Sequence, residues 1–223
     1  MFKKDLTVKA DQKLSGKDCK KLLAEAERAL PGAPVAELLA KKDLSLRKPS
    51  GGVTAKLYCE GSAVLLFEVN GQLLPSLTSL WRFPTPMLPA LVVPPPVSEF
   101  LVSGADLMLP GVIGLLASVA AEDLEAGAPA CVLIHGNPSA VAVGRLAIGG
   151  PALAAALGSV PRPKGRCLEN VHVYGDGLWR YGGKPTPNAG FINVDGERSV
   201  VPWQDPNAPP ATEGAGEAAG EAN

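Results

Sequence analysis

The chain has 223 residues, 46% of them hydrophobic, which is enough for one large or two small domains with a real core. Its formal net charge of −1 excludes a uniformly basic protein. Basic residues nevertheless outnumber acidic ones 13 to 7 over residues 1–56, whereas acidic residues lead 9 to 6 over 57–180 and 6 to 2 over 181–223. We therefore expect an electropositive surface in the N-terminal quarter and a mildly acidic C-terminal end.

Cysteine usage and hydropathy indicate a soluble, cytoplasmic protein. The cysteines are far apart and form no CxxC pair: Cys19, Cys59, Cys131 and Cys167. We expect them to be reduced and packed as small hydrophobic residues, with a disulfide framework or a zinc site as the alternatives. The first five residues do not resemble a signal peptide. The longest uncharged apolar stretch, residues 107–121, is shorter than the ~20 residues of a membrane span, so we assign it to the core.

Residues 15–30 have the pattern of an amphipathic helix. Ser15 can cap the start of the helix, and Asp18 follows three residues later, as in a capping box. Apolar residues then recur at helical spacing and predict one buried face. The basic residues lie mostly off that face: Lys17, Lys20, Lys21 and Arg28. A second, short helix is predicted from Pro34 to residue 42.

The pattern then changes to a period of two. Residues 53–59 and 63–69 predict two strands, and Asn70-Gly71 predicts a hairpin turn because both residues tolerate positive φ. Residues 1–95 are expected to form a first, small α/β domain with helices packed on an antiparallel sheet. In the segment 84–96, 6 of the 13 residues are proline, so we expect an irregular connector and place the domain boundary there.

Short strands are predicted again in a second domain, residues 96–181. They cover residues 131–134, 140–147, 171–174 and 178–181. Short strands joined by tight turns favour a compact barrel. Together with the helices and sheet of the first domain, this predicts the α+β fold class. From residue 182 onward the chain is rich in Gly, Pro, Ala and Glu, and we expect a disordered tail over 182–223.

The sequence has no residue spacing typical of an enzyme active site. His135 and His172 lie in or beside predicted strands, where a structural role is the better interpretation. HExxH, GxSxG and Walker-type spacings are absent, so we predict no catalytic residue, metal ligand or cofactor.

The most informative part of the sequence is the segment Ser103-Gly104-Ala105-Asp106-Leu107-Met108-Leu109-Pro110-Gly111. Small residues at Gly104 and Ala105 permit another backbone to approach closely, and Gly111 can adopt positive φ. Two interpretations stay open. The segment is either a tight bend within the core or a groove whose exposed backbone N–H groups meet an RNA backbone.

This segment resembles the signature of the PUA domain, an RNA-binding pseudobarrel shared by tRNA- and rRNA-modifying enzymes and some translation factors. Residues 142–145 resemble the family's central strand, and residues 170–180 resemble the closing strands of one subgroup. That subgroup is the translation initiation factor 2D (ligatin) family, to which the malignant T-cell amplified sequence protein is related. Residues 15–22 and 70–77 resemble its pre-PUA domain, so the resemblance covers about residues 1–181.

The resemblance implies a translation initiation module that binds rRNA of the small ribosomal subunit and P-site tRNA, and assists tRNA delivery or release. An RNA backbone or tRNA acceptor end would be held by Ser103, Gly104, Ala105, Asp106, Met108, Pro110 and Gly111, with Arg145 and Arg180 as neighbours. Phosphates of rRNA would be contacted by Lys17, Lys20, Lys21 and Arg28, with Lys3 and Lys4. An ordinary solvated helix face is the alternative interpretation of these basic residues.

Two features depart from the family pattern. Residues 125–129 replace a Lys-Gly-Asp turn, and no winged-helix-like or SUI1-type domain follows, although ligatin-type factors have both. The second departure raises an alternative, in which the chain is a protein-interaction subunit that acts only with a separate SUI1-domain partner. The malignant T-cell amplified sequence protein works in this way with density-regulated protein.

Overall fold

A computed structural model of the protein describes residues 2–40, 43–50, 54–83, 87–194, 197–204 and 206. These residues form two domains, each built on its own β-sheet, and a C-terminal hairpin. The architecture is α+β, as the sequence predicts.

The first domain is a five-stranded antiparallel sheet whose strand order follows the chain. Its elements are β1 Val8–Lys13, α1 Gly16–Ala29, α2 Val35–Leu39, β2 Leu44–Pro49, β3 Ala55–Glu60, β4 Ala63–Val69, β5 Gln72–Pro75 and α3 Leu77–Leu80. Both predicted helices, both predicted strands and the turn at Asn70-Gly71 are confirmed, although β1 and β2 are additional. Residues 41, 42 and 53 of the predicted elements lie outside the described residues.

Helix α1 begins where its sequence predicts. The hydroxyl of Ser15 accepts a hydrogen bond from the Asp18 N–H at 3.2 Å, and the Asp18 carboxylate accepts one from the Ser15 N–H at 3.3 Å. This capping box satisfies two N–H groups that a helix start would otherwise leave unpaired. Leu22 and Ala26 form the buried face, so the basic residues of the helix are left on its outside.

The second domain is a six-stranded mixed sheet in the order β7-β11-β10-β9-β6-β8, parallel between β6 and β9 and otherwise antiparallel. Its elements are β6 Ala90–Val93, α4 Val97–Val102, β7 Leu107–Met108, β8 Gly114–Leu116, β9 Pro129–Ile134, β10 Ala140–Leu146, α5 Gly150–Gly158, β11 Arg166–Val173 and α6 Gly177–Tyr181. Short 3-10 helices lie at Leu109–Gly111 and Ala121–Asp123. The predicted strands around residues 131, 140 and 171 are confirmed.

The expectation of an irregular connector over residues 84–96 is wrong for β6. This strand pairs with β9 inside the second sheet, with Leu91 opposite Val132. The four residues of the strand contain no proline, and Pro89, just before it, still contributes its carbonyl to the pairing, which accepts from the Cys131 N–H at 2.9 Å. The second domain therefore includes residues before 96.

Two further expectations for this domain are also corrected. Residues 178–181 form helix α6 rather than a strand, because the Asp176 carboxylate accepts from the Trp179 N–H at 2.9 Å and caps the helix. Residues 107–121 are only partly core, since Ile113, Leu116 and Val119 are each about half exposed.

The predicted disordered tail does not begin at residue 182. Strands β12 Phe191–Val194 and β13 Glu197–Val200 form a hairpin. Phe191 and Val200, which pair at the open end of the hairpin, are buried against the second domain. The ring of Phe191 makes edge contacts with Trp81 and Tyr174 at centroid distances of 5.4 and 5.0 Å. These contacts supply the apolar burial that composition alone did not indicate. Residues 207–223 of the predicted tail lie outside the described residues.

Phe2 joins the two domains through an aromatic contact. Its side chain is 1% exposed and packs edge-on against Phe67 of β4 and His172 of β11, at centroid distances of 5.6 and 6.3 Å. The Phe2 carbonyl accepts from the N–H of Gly177 at 2.6 Å. The N-terminal segment is thus bound to the second domain as well as to the first.

Polar side chains add further contacts between the domains. Arg145 of β10 donates to the side chain of Gln72 and, at 2.9 Å, to the carbonyl of Val69. The indole of Trp81 donates to the carbonyl of Ala140 at 2.8 Å. Because these groups are paired across the junction, the two domains are held in one arrangement.

Candidate nucleic-acid interface

The segment at Gly104 is the C-terminal cap of helix α4. The Gly104 N–H donates to the Leu101 carbonyl at 2.8 Å, and the Ala105 N–H donates to the Phe100 carbonyl at 3.0 Å. With φ of +92° at Gly104, this is a Schellman motif. The Ser103 N–H also donates a hydrogen bond, to the Glu99 carbonyl. The expectation that exposed N–H groups of this bend meet an RNA backbone is therefore wrong for residues 103–105.

Positive φ occurs at Gly104 and not at Gly111. We expect Gly104→Ala to lower the free energy of unfolding by about 1–2 kcal/mol, because an L-residue is strained in the left-handed region. Urea denaturation measures the difference. The matched control is Gly158→Ala in helix α5, where φ is not positive and an added methyl meets no atom within 4 Å. Equal stability of both variants would contradict the assigned cap.

Asn170 of β11 fixes the shape of the bend. Its side-chain amide donates to the carbonyls of Leu101 and Ala105, each at 3.1 Å, and its backbone N–H donates to the Asp106 carboxylate at 2.9 Å. The second oxygen of Asp106 pairs with Arg166 at 2.9 Å. The side chains of Asn170 and Asp106 thus hold the bend against the sheet.

Burial raises the pKa of Asp106, but the Asn170 N–H and the Arg166 guanidinium outweigh it, so the pKa lies below its ordinary value. A carboxyl group with a lowered pKa stabilises the fold above its unfolded pKa of about 4, and this stabilisation is lost as pH falls through the folded value. We therefore expect the stability difference between wild type and Asp106→Asn to be full near pH 6 and to shrink below about pH 4.

Urea denaturation at a series of pH values tests this expectation. Glu99→Gln changes an exposed carboxylate of helix α4 and is the matched control. A difference that does not depend on pH would show that the charge of Asp106 contributes nothing to stability.

Exposed apolar and basic side chains surround the bend. Phe100 is 66% exposed and Met108 is 48% exposed. Lys3 crosses the bend, with its Cε 3.8 Å from where a Cβ would sit on Gly104. Met108 is paired with Arg166 across the β7–β11 ladder, and the neighbouring Lys164 is exposed. We call this surface the bend face: residues 100, 103–106, 108 and 110, with Lys3, Lys164 and Arg166.

Two predicted members of the site are engaged elsewhere. The side chain of Arg145 is 12% exposed and is bound within the domain junction, with Glu169 at 3.7 Å. Arg180 pairs with Asp5 and donates to the carbonyl of Gly175 at 2.6 Å. Arg180 also reaches the Lys3 carbonyl at 3.5 Å, so it lies behind the bend face and supports the segment that carries Lys3.

The predicted basic face of α1, which we call the α1 face, is present as a separate surface. Lys17, Lys20, Lys21 and Arg28 are all exposed. Lys17, Lys21 and Arg28 follow one another at intervals of four and seven residues, which places them on one side of the helix. In the part of the chain that the structure describes, none of the four forms an ion pair with a carboxylate. No hydrogen bond or ion pair among the described residues links this face to the bend face.

Sequence reasoning missed Lys164 and Arg166 and grouped Lys3 with α1. Lys164 and Arg166 are some 60 positions from the bend, and only the β7–β11 pairing brings them beside it. The one local signal is their spacing around Gly165, whose carbonyl accepts from the Leu109 N–H at 2.8 Å. In the sequence, two cations flank this glycine a few residues before the predicted strand 171–174, a pattern that is compatible with a phosphate-binding edge.

The buried side chain of His172, near this surface, has a structural partner. His172 lies 2.9 Å from Asp176 through Nδ1 and is 2% exposed. Among the described residues, no group of three or more His, Cys, Asp or Glu side chains is placed to hold a metal ion. None of the described helices has the length and apolar character needed to cross a membrane.

Both domains match known families. Residues 2–84 match the pre-PUA-like domain, and residues 88–177 match the PUA domain of eIF2D. Eukaryotic translation initiation factor 2D of Rattus norvegicus is 35% identical over 196 residues, which cover 85% of this chain and 33% of the rat protein. Translation machinery-associated protein 20 of Saccharomyces cerevisiae is 29% identical over 127 residues, covering 56% of this chain and 66% of the yeast protein. A PUA-domain crystal structure from Aeropyrum pernix K1 has a TM-score of 0.65 and 25% identity, over 80% of this chain and 92% of that chain.

The capped bend, the six-stranded sheet and the preceding five-stranded domain form a two-domain module that is similar to part of known translation factors. Residues 2–84 belong to the pre-PUA-like domain family and residues 88–177 to the eIF2D PUA domain family, so the chain matches the N-terminal region of eukaryotic translation initiation factor 2D. This confirms the resemblance carried by the Gly104 segment. The chain spans about a third of the length of the initiation factor 2D relatives that it matches.

Proposed function

We propose that this chain is an RNA-binding translation initiation module, which binds the small ribosomal subunit and P-site tRNA and assists tRNA delivery or release. The proposal assigns it no catalytic step and no cofactor. The observation that carries it is the bend face, where a rigid, exposed bend of a PUA domain is flanked by the cations Lys3, Lys164 and Arg166. Phosphate groups are the ligands that such a ring of cations suits best.

The chemistry of the bend face favours single-stranded RNA, such as an acceptor end. The exposed ring of Phe100 offers a surface on which an unpaired base can stack. Lys3 and Lys164 have no partner side chain among the described residues, and Arg166 keeps guanidinium N–H groups beyond the one that binds Asp106. These groups would contact phosphates and position the strand without reading much of its sequence.

The α1 face would provide a second contact, to rRNA. Three of its four cations lie on one side of a helix whose start is capped, and all four would bind phosphates through salt-dependent electrostatics. A two-surface module of this kind can hold tRNA and the subunit at the same time.

Co-sedimentation with small ribosomal subunits at ~100 mM salt tests the proposal. We expect wild type to sediment with the subunit and Lys20→Glu/Lys21→Glu to bind more weakly. Ala105→Glu places a negative charge on the bend face without disturbing Gly104, and Gly104→Ala controls for backbone strain. The proposal is wrong if wild type stays in the supernatant, and its contacts are wrong if both charge variants sediment like wild type.

A second candidate function is that of a subunit that acts only with a separate SUI1-domain partner. The observation that favours it is the match to translation machinery-associated protein 20, which the alignment covers over 66% of its length, so that chains of about this size occur as separate proteins. A pull-down from extract distinguishes the two candidate functions. A stoichiometric SUI1-domain protein would favour this candidate, whereas ribosomal components alone would count against it.

A further inference from the structure

A large groove lies where the end of helix α1 meets the second domain. It is lined by residues 29–32, Gln72 and residues 87–89 on one side, and by residues 116–119 and 123–129 on the other. Its volume of about 1110 Å³ exceeds the roughly 300–1,000 Å³ of most small-molecule pockets. None of the residues assigned to the bend face or the α1 face lines it, so the groove is a third surface.

The second-domain wall of the groove is apolar and incompletely paired. Leu116, the last residue of β8, is 53% exposed, and Val119, three residues later, is 48% exposed. In the described structure, Ala117, Ser118 and Val119 take part in no backbone hydrogen bond. Exposed apolar side chains beside unpaired backbone groups are typical of a surface that binds another chain.

The charges of the groove select the kind of partner. Asp123 and Glu125 are both exposed and line it, and no Lys or Arg does so among the described residues. Two uncompensated carboxylates would repel RNA phosphates. They would attract lysine or arginine side chains, and the apolar wall would bury aliphatic or aromatic ones. The groove is therefore complementary to a protein segment that is both apolar and basic.

We propose that this groove binds a segment of a partner protein that carries apolar side chains together with at least one lysine or arginine. The apolar side chains pack on Leu116 and Val119, and the basic one pairs with Asp123 or Glu125. The unpaired backbone groups of residues 117–119 supply hydrogen bonds to the segment. This inference does not rest on RNA binding, and loss of either activity leaves the other intact.

Selection from a random 16-residue peptide display library on the purified full chain tests the proposal. We expect the selected peptides to combine apolar residues with Lys or Arg. A synthetic copy of the most enriched peptide should bind at least tenfold more weakly to Leu116→Ser/Val119→Ser and to Asp123→Lys/Glu125→Lys. Val160→Ser changes a side chain that is 97% exposed outside the groove, and it should bind like wild type.

Circular dichroism and urea denaturation confirm that each variant is folded, which is expected because the changed side chains are exposed. The proposal is overturned if no peptide is enriched, if acidic peptides are enriched, or if binding is indifferent to both groove variants. It is also overturned if the wild-type chain self-associates and this association competes with the peptide, since the groove would then bind a second copy. Ribosome co-sedimentation of the groove variants should stay at the wild-type level, which separates this result from failure of the RNA proposal.

Discussion

Replacing Phe2 by Ala is expected to lower the free energy of unfolding by about 3–5 kcal/mol, the usual cost of removing a buried aromatic side chain. The ring of Phe2 is 1% exposed and lies between Phe67 of the first domain and His172 of the second. Its loss leaves a cavity at the junction of two sheets. A change of this size shifts the melting temperature by roughly 6–20 °C for a protein of this length.

Gly177→Ala tests the same contact from the other side. A Cβ at Gly177 would overlap the carbonyl oxygen of Lys4 and approach that of Phe2 to 2.9 Å, so the N-terminal segment must move. We expect Gly177→Ala to lower the free energy of unfolding, as Phe2→Ala does. Phe100→Ala, which removes an aromatic ring that is 66% exposed, is the control and should change stability by less than about 0.5 kcal/mol.

Thermal and urea unfolding of Phe2→Ala, Gly177→Ala and Phe100→Ala measure these stability differences. If Phe2→Ala unfolds within 1 kcal/mol of wild type (roughly a factor of five in the folding equilibrium), the N-terminal segment does not stabilise the fold. The segment also carries Lys3 across the bend, so we expect Phe2→Ala to weaken RNA binding under conditions where the protein is still folded.

Reversing the charge of Lys3 and Lys164 together is expected to weaken RNA binding by tenfold or more. Each lysine that neutralises a phosphate contributes about 0.7–0.9 to the slope of log affinity against log salt. Loss of two contacts should therefore reduce that slope by about 1.4–1.8. Fluorescence anisotropy with a labelled single-stranded RNA, at salt concentrations from 50 to 200 mM as a rough range, measures both quantities.

A matched variant controls for net charge. Lys9→Glu/Lys13→Glu changes the net charge by the same amount on strand β1, outside the bend face and the α1 face. We expect it to weaken binding only slightly and to leave the slope near the wild-type value. Equal effects of the two double variants would mean that binding follows total charge and not the bend face.

Elements with local signals were predictable from the sequence. Helix α1 has its capping pair and its apolar stripe within 16 residues, and the turn at Asn70-Gly71 depends only on backbone freedom. The PUA signature likewise identified the second domain. In these places the interactions that determine structure join residues that are near one another in the chain.

Elements that depend on distant contacts were not predictable in this way. Strand β6 lies among prolines and forms because β9, some 40 residues later, pairs with it. The hairpin of β12 and β13 looks like a polar tail until Phe191 meets Trp81 and Tyr174. Helix α6 has a local signal in its cap Asp176, but residues 178–181 follow a Gly-Asp-Gly turn and were therefore predicted as a strand.

The sequence predicted an exposed bend at Gly104, but it did not predict which groups of the bend are free to make contacts. The bend at Gly104 is exposed, as the RNA-facing interpretation requires, but its N–H groups at residues 103–105 close helix α4. In the function that we propose, side chains would therefore make the RNA contacts, and they would come from Lys3, Phe100, Lys164 and Arg166. Arg145 was a reasonable candidate from sequence, because nothing local shows that Gln72 and Val69 bind it.

Ultraviolet cross-linking of the purified chain to small ribosomal subunits with bound tRNA, followed by mass spectrometry of the adducts, tests the central claim most directly. The bend face predicts RNA adducts on peptides that contain Phe100 and Met108 and on those that contain residues 164–166, with a second set on α1. Adducts confined to other surfaces, such as the groove at residues 116–129, would contradict the account.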